Sequence, residues 1–270
     1  MQKLIDKIQV NIPFSMLYDS SLDFFIKYGL NPEISIDAPA LNRYSLSDFC
    51  NVADQLHKSG RTITLHGPFM GLDAGSPDSA VRETTRNCFE RMLKLIPVFK
   101  PKTVVCHAGY EEKSSGYIRN LWIEKSIEIW SWLGACIRDE GGMLVLENVY
   151  ERRPDDIKVL FEHLENENVG FCLDSGHQAA FGKVPVEAWL ESLGSYLYQF
   201  HLHDNNGKED EHLALGRGTI DFKPIFEYLK TLKKDPPVIT IEPHTKDDLW
   251  PSFKYLESNW GNFSITTGKS

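Results

Sequence analysis

The feature that most constrains this chain is an alternation of eight short β-rich runs, each followed by a stretch that could be helical. The runs are IQVNIPF (8–14), PEISID (32–37), TITLHGPF (62–69), TVVCHAGY (103–110), MLVLENVY (143–150), VGFCLDSGH (169–177), YQFHLHD (198–204) and PVITIEPH (237–244). Helices are clearest over 78–99 and 117–141; in the second, Ile123, Ile127, Trp130 and Ile137 share one face and Gly134 fills the gap in the series. Ser45 and Asp78 read as N-caps, and Gly60 and Gly141 as helix stops. Eight β-α units in about 250 residues match a (β/α)8 barrel. A doubly wound open sheet uses the same unit but gathers its polar residues at one switch point. Here polar residues end many strands, so the expected fold is a single α/β (β/α)8 TIM barrel over residues 1–270. The stretch GNFSITTGKS (261–270) reads as a polar, frayed tail.

The strand ends carry His66, His107, Glu147, Asp174 with His177, His201, and Glu242 with His244. The stretch YQFHLHDNNGKEDEHLALGRG (198–218) adds His203, Asp204, Asp210 and His212. Of the nine histidines, only His57 and His163 lie elsewhere. His201 and His203 share one strand face and Leu202 takes the other. In a barrel these ends meet at one mouth, and carboxylates crowded there repel unless cations hold them together. Mixed His/Asp/Glu donors suit zinc, manganese, cobalt or iron better than calcium.

Composition narrows the partners. With 41% hydrophobic and 25% charged residues the chain is an ordinary globular one, and its net charge of −9 offers nucleic acid no general attraction. No apolar run approaches the roughly 18 residues of a membrane span, and the N-terminus lacks a signal-peptide pattern. Five scattered cysteines without CxxC spacing read as free thiols in a reducing cytoplasm. Nothing in the sequence specifies an oligomeric state.

From TLHGP through IEPH the chain resembles the xylose isomerase-like TIM barrels, the superfamily that includes nucleases of the endonuclease IV type. The resemblance implies a mononuclear site of two Glu, one Asp and one His, matched by Glu147 in LENVY, Asp174 in CLDSGH, His201 in FHLHD and Glu242 in IEPH. The endonuclease IV pattern implies three zinc ions and nine ligands. His66, His107, His177, Asp210 and His212 match the additional five, with Gly216 and Gly218 in the following Gly-x-Gly. The chain departs from that nuclease signature after His66 (GPFMGLDAG), at Ser175-Gly176, and at His203-Asp204-Asn205-Asn206. Its loop IDAPALNRYSL carries Arg43 as its only base, where a DNA binder would place several basic or polar groups.

The departures favour a divalent-metal-dependent sugar or sugar-phosphate isomerase or epimerase, holding one to three ions, with zinc or manganese expected. Glu147 and Glu242 would move the proton through a metal-stabilised enediolate, and His177 would orient the substrate. His203, Phe69 and Arg217 are the candidates for touching a carbohydrate, although His203 and Asp204 could instead orient ligands. Lys208 and Arg217 are the cations nearest the site for a substrate phosphate. The alternative is a zinc-dependent, endonuclease IV-like phosphodiesterase acting on abasic-site DNA, the one reading in which nucleic acid is a partner.

Overall fold

The computed structural model describes residues 1–165, 167–232 and 236–260; the tail expected over 261–270 lies outside these. Eight parallel strands close into one barrel: β1 (Ile8–Pro13), β2 (Asn31–Ser35), β3 (Thr64–His66), β4 (Thr103–His107), β5 (Met143–Glu147), β6 (Val169–Asp174), β7 (Leu197–Leu202) and β8 (Val238–Ile241). Closure comes from β1 against β8, where Ile8, Gln9 and Val10 pair with Ile239, Thr240 and Ile241. The open-sheet alternative is thereby excluded. No helix among the described residues is long and apolar enough to cross a membrane.

Strand alternation divides the core. Val104, Cys106, Leu144, Leu146, Phe171, Leu173, Phe200, Leu202, Ile239 and Ile241 pack outward against the helices. The opposite parity faces the barrel axis, where Val105, Val145 and Cys172 form a small separate cluster. Beside it lies a polar layer. Buried Glu33 accepts from Thr64 Oγ1 (3.0 Å), Thr240 Oγ1 (3.1 Å), Asn11 Nδ2 (3.2 Å) and Gln199 Nε2.

The helices begin and end for local reasons. Ser45 and Asp48 form a capping box at the start of Leu46–Lys58, and Asp78 accepts from the Ala80 amide at the start of Ser79–Leu93. The helix expected over 78–99 is two, Ser79–Leu93 and Ile96–Phe99, and Pro97, which has no N–H to continue the first, sits in the first turn of the second. In Arg119–Asp139 Gly134 is buried, and a Cβ there would lie 2.7 Å from Val169 Cγ2. Gly60 and Gly141 follow their helices with φ of 70° and 83°. The run expected as strand over 169–177 leaves the sheet after Asp174. The Asp174 carboxylate accepts the His177 amide at 2.6 Å and caps a helix, Ser175–Phe181.

Candidate metal centre

Register brings the polar strand ends together. His107 on β4 pairs with Glu147 on β5, and Asp174 on β6 with His201 on β7. His66 ends β3, Glu242 follows β8, and His177 sits in the first turn after β6. Glu147, Asp174 and His201 are buried at the floor, and His107 is the most open of the six strand-end groups. Asp210 and His212 reach the same place from the loop after β7. Asp204 makes this possible: its Oδ1 accepts from the amides of Asn205 (2.9 Å) and Ile220 (3.1 Å), and its Oδ2 from those of Gly216 (3.0 Å) and Gly218 (2.9 Å). A two-way backbone pairing of Asp204 with Leu213 closes the loop. His212 takes a φ of +50°, a conformation costing roughly 1 kcal/mol that the loop enforces.

The nine donors fall into three adjoining nests. In the first, His66 Nε2 and His107 Nε2 lie 3.1 and 3.6 Å from Glu147 Oε2. In the second, His201 Nδ1 lies 3.1 Å from Glu147 Oε1, 3.1 Å from Glu242 Oε1 and 3.9 Å from Asp174 Oδ2. In the third, His177 Nε2 and His212 Nε2 each lie 3.2 Å from Asp210 Oδ2. Donors bound to one tetrahedral zinc are about 3.4 Å apart, so the spacing suits ions of that size.

The remaining ring nitrogens fix the orientation. Nδ1 of His66, His177 and His212 faces the backbone carbonyls of Gly67 (2.9 Å), Asn148 (3.0 Å) and Glu242 (3.4 Å). A carbonyl only accepts, so these nitrogens carry a hydrogen, and Nε2 is the nitrogen whose proton a metal ion in the nest would displace. His201 Nε2 sits between Glu33 Oε1 at 2.9 Å and the Gln199 amide nitrogen at 3.1 Å; the carboxylate's charge keeps a proton on that nitrogen, so Nδ1 is the one a metal ion would deprotonate. Asp174 Oδ2 and Asp210 Oδ1 are buried with no hydrogen-bond partner among the described residues. Orphaned carboxylate oxygens beside imidazole nitrogens that can give up a proton are what a cation would satisfy, so these residues fit divalent metal.

The electrostatics agree. Burial alone would raise Glu147, but the charge of His201 and hydrogen bonds from His177, His201 and His66 hold it well below the usual carboxylate range. Glu242 is likewise depressed against its burial, chiefly by His201. Burial opposes charge on His177 and His201, yet the carboxylates around them lift both well above the usual imidazole value. Burial dominates at His107, which is pushed down to about 3.

A cavity of about 790 Å³ opens above the nests and is walled in part by His66, His107, Glu147, His177, Asp210 and Glu242. Phe69 lies on its wall, stacked on His107 at 4.4 Å between ring centroids. Two residues expected to touch substrate do not reach it. Arg217 lies outside the cavity wall and pairs with Asp248 at 3.3 Å. His203 is 1% exposed beneath the wall, with Nε2 3.1 Å from Asp174 Oδ1 and its ring stacked on His212 at 3.8 Å. Lys208 is exposed on the loop and also off the wall. The sequence reading missed Glu33, although its parity with Asn31 and Ser35 on β2 places it on one strand face with them. It also missed Asn148, whose side chain holds both backbone groups of Asp174.

A family model described as xylose isomerase-like TIM barrel matches residues 31–258. An uncharacterized protein of Methanocaldococcus jannaschii is 31% identical over 189 residues, 67% of this chain and 64% of that protein, so the chain spans a little under two thirds of that relative. A probable endonuclease 4 of Mycobacterium leprae is 24% identical over 209 residues, 73% of this chain and 80% of that one. Among solved structures, a D-tagatose 3-epimerase-like protein superposes with a TM-score of 0.77 at 26% identity, covering 94% of this chain and 97% of its own.

Proposed function

The chain belongs to the xylose isomerase-like TIM barrel family, and within it we propose a multinuclear metal-dependent hydrolase that cleaves a phosphate ester. The observation that carries this reading is the sharing of Glu147. Its Oε1 faces His201 and His177 at 3.1 and 3.3 Å, and its Oε2 faces His66 and His107 at 3.1 and 3.6 Å. A carboxylate with both oxygens so engaged joins two nests and has no free face to take a proton from carbon.

His66, His107 and Glu147 would hold one ion; Glu147, Asp174, His201 and Glu242 a second; His177, Asp210 and His212 a third. Zinc or a similar ion supplies Lewis-acid polarisation of the phosphoryl group and lowers the pKa of the attacking water. Glu242 is the carboxylate suited to accept a proton. Its Oε2 has His212 Nδ1 and His203 Nε2 only at 3.7 and 3.9 Å, and His201 helps keep it ionised.

Sugar isomerisation or epimerisation remains the second reading, favoured by Glu147 Oε1 and Glu242 Oε1 flanking His201 Nδ1 at 3.1 Å each and by the likeness to the epimerase-like structure. One experiment separates the two. Zinc-loaded protein is given bis(4-nitrophenyl) phosphate, an abasic-site duplex, and ketohexoses in D2O, with Glu242→Gln as control. Ester cleavage that the substitution abolishes is expected. Deuterium entry into a ketohexose, without cleavage of either ester by fully loaded protein, would overturn the hydrolase reading.

A further inference from the structure

The walls of the cavity beyond the donors speak to the body of the substrate. Four large apolar side chains on that wall are exposed: Met16 (47%), Phe69 (40%), Met70 (76%) and Tyr150 (53%). They come from the segments after β1, β3 and β5, so they ring the mouth rather than forming one strip. Phe69 spends one ring face on His107, and Tyr150 packs against Phe181 at 5.1 Å. Apolar groups held outward around a polar floor are the arrangement of a small-molecule pocket.

The charges on the same wall point the same way. Lys246 is the one Lys or Arg among the described wall residues, and its Nζ lies 5.4 Å above the Phe24 ring. Against it stand three carboxylates outside the nests, Asp37, Asp73 and Glu111. Two of them are pinned: Asp37 accepts the Ala40 amide at 2.7 Å, and Asp73 accepts from Trp122 Nε1 at 3.0 Å. A polynucleotide presents phosphates on both sides of the reacting one, and binding it requires cations to neutralise them. This mouth repels flanking phosphates and offers a ring something to lie against.

Resting on the hydrolase reading, we propose that the substrate is a small phosphodiester, a single phosphate carrying an aromatic or comparably apolar group, rather than a polynucleotide. The apolar group would sit against Phe69 and Met70 with the phosphate over the nests. Water oxygen forms the new P–O bond and gives its proton to Glu242. The ester P–O bond breaks, and its electron pair leaves on the ester oxygen, which takes a proton from solvent while Glu242 returns its own. One water is consumed and nothing is oxidised.

The test uses two esters with the same leaving group, 4-nitrophenyl phenyl phosphate and 4-nitrophenyl methyl phosphate, beside an abasic-site duplex, all with the zinc-loaded full chain. The phenyl ester is expected to be preferred by about tenfold in kcat/KM, the scale of apolar discrimination in a pocket. Met70→Ser, at a side chain already in solvent, is expected to narrow that ratio while bound zinc stays the same. Equal rates for the two esters, or a higher kcat/KM for the duplex, would overturn this inference and leave the hydrolase reading intact. No cleavage of any ester by fully loaded protein would overturn that reading and this inference with it.

Discussion

Glu33 Oε1 lies 2.9 Å from Nε2 of His201, and both side chains are fully buried. The contact joins the polar layer inside the barrel to the floor of the metal centre. Glu33 also accepts from Asn11, Thr64, Gln199 and Thr240, so its hydrogen-bond partners among the described residues are donors and a charged ring.

Glu33→Gln places an amide N–H2 among those donors and removes the charge that keeps the proton on His201 Nε2. Replacing such an outer partner of a metal ligand typically costs 10- to 100-fold in metal affinity. Zinc competition with a chromophoric chelator should show a loss of about that size for one ion, with the circular dichroism spectrum unchanged. Unaltered affinity for every ion would rule out this positioning role.

Gly176 and His203 form a second coupled pair. A Cβ on Gly176 would lie 1.9 Å from His203 Cε1. The ring cannot retreat, being 1% exposed, stacked 3.8 Å from His212 and bonded to Asp174. Gly176→Ala should therefore destabilise by about 2–3 kcal/mol, the usual scale of overpacking, as measured by urea unfolding. Adding His203→Ala should recover most of that loss, since the two changes share one space. Additive losses in the double variant would show that the clash is relieved elsewhere.

These pairs mark where the sequence stopped being legible. The barrel and the strand-end donors could be read because strands repeat every two residues and these donors sit at or beside strand ends, as His107 closes TVVCH and Glu147 closes MLVLE. Asp210 and His212 instead lie in the loop after β7, and came from the dense polar run over 198–218 and the family resemblance. Glu33 sits inside a run instead, and β2 pairing sets its depth relative to His201, far away in the chain. Gly176 and His203 read as two separate departures from a nuclease-like signature; only the fold makes them one change. The position of Arg217 was hidden for the same reason, because nothing near it in sequence reveals that it lies off the cavity wall beside Asp248.

Metal binding should release protons. Burial opposes a charge on His212, but its hydrogen bond to Asp210 and the charges of Glu242 and Asp174 carry its pKa from 6.5 up to about 9. His177 and His201 are raised as well. A folded pKa above the unfolded one gives stability that is complete below 6.5 and lost as pH rises through about 9. The depressed carboxylates Asp210, Glu147 and Glu242 act oppositely, their contribution being lost only as pH falls below their unfolded values. Metal-free protein should thus lose thermal stability between pH 7 and pH 10, whereas ions displace those protons and remove this dependence. Calorimetric titration of zinc at neutral pH, in buffers of different ionisation enthalpy, should detect the released protons, and the apparent affinity should climb towards pH 9. Zinc binding without proton release would contradict the charged imidazoles.

The third nest depends on Asp204, which holds in place the loop carrying two of the three residues that would touch the ion. Asp204 accepts four backbone N–H groups through two oxygens, at 2.9 and 3.1 Å on Oδ1 and at 3.0 and 2.9 Å on Oδ2. Those bonds hold the loop that carries Asp210 and keeps His212 at its positive φ. Asparagine keeps one acceptor oxygen and turns an N–H2 toward two of the four donors, which at 1.5–3 kcal/mol per hydrogen bond to a charged group costs about 3 kcal/mol. The barrel strands make no part of this network beyond the end of β7, so the damage should stay local. Asp204→Asn should retain the ions held by His66, His107, Glu147, Asp174, His201 and Glu242 and lose the one held by His177, Asp210 and His212. Elemental analysis after dialysis would then find one zinc fewer per chain than in the parent protein. An unchanged count would mean that His177, anchored from the β6 side by Asn148, defines the nest without the loop.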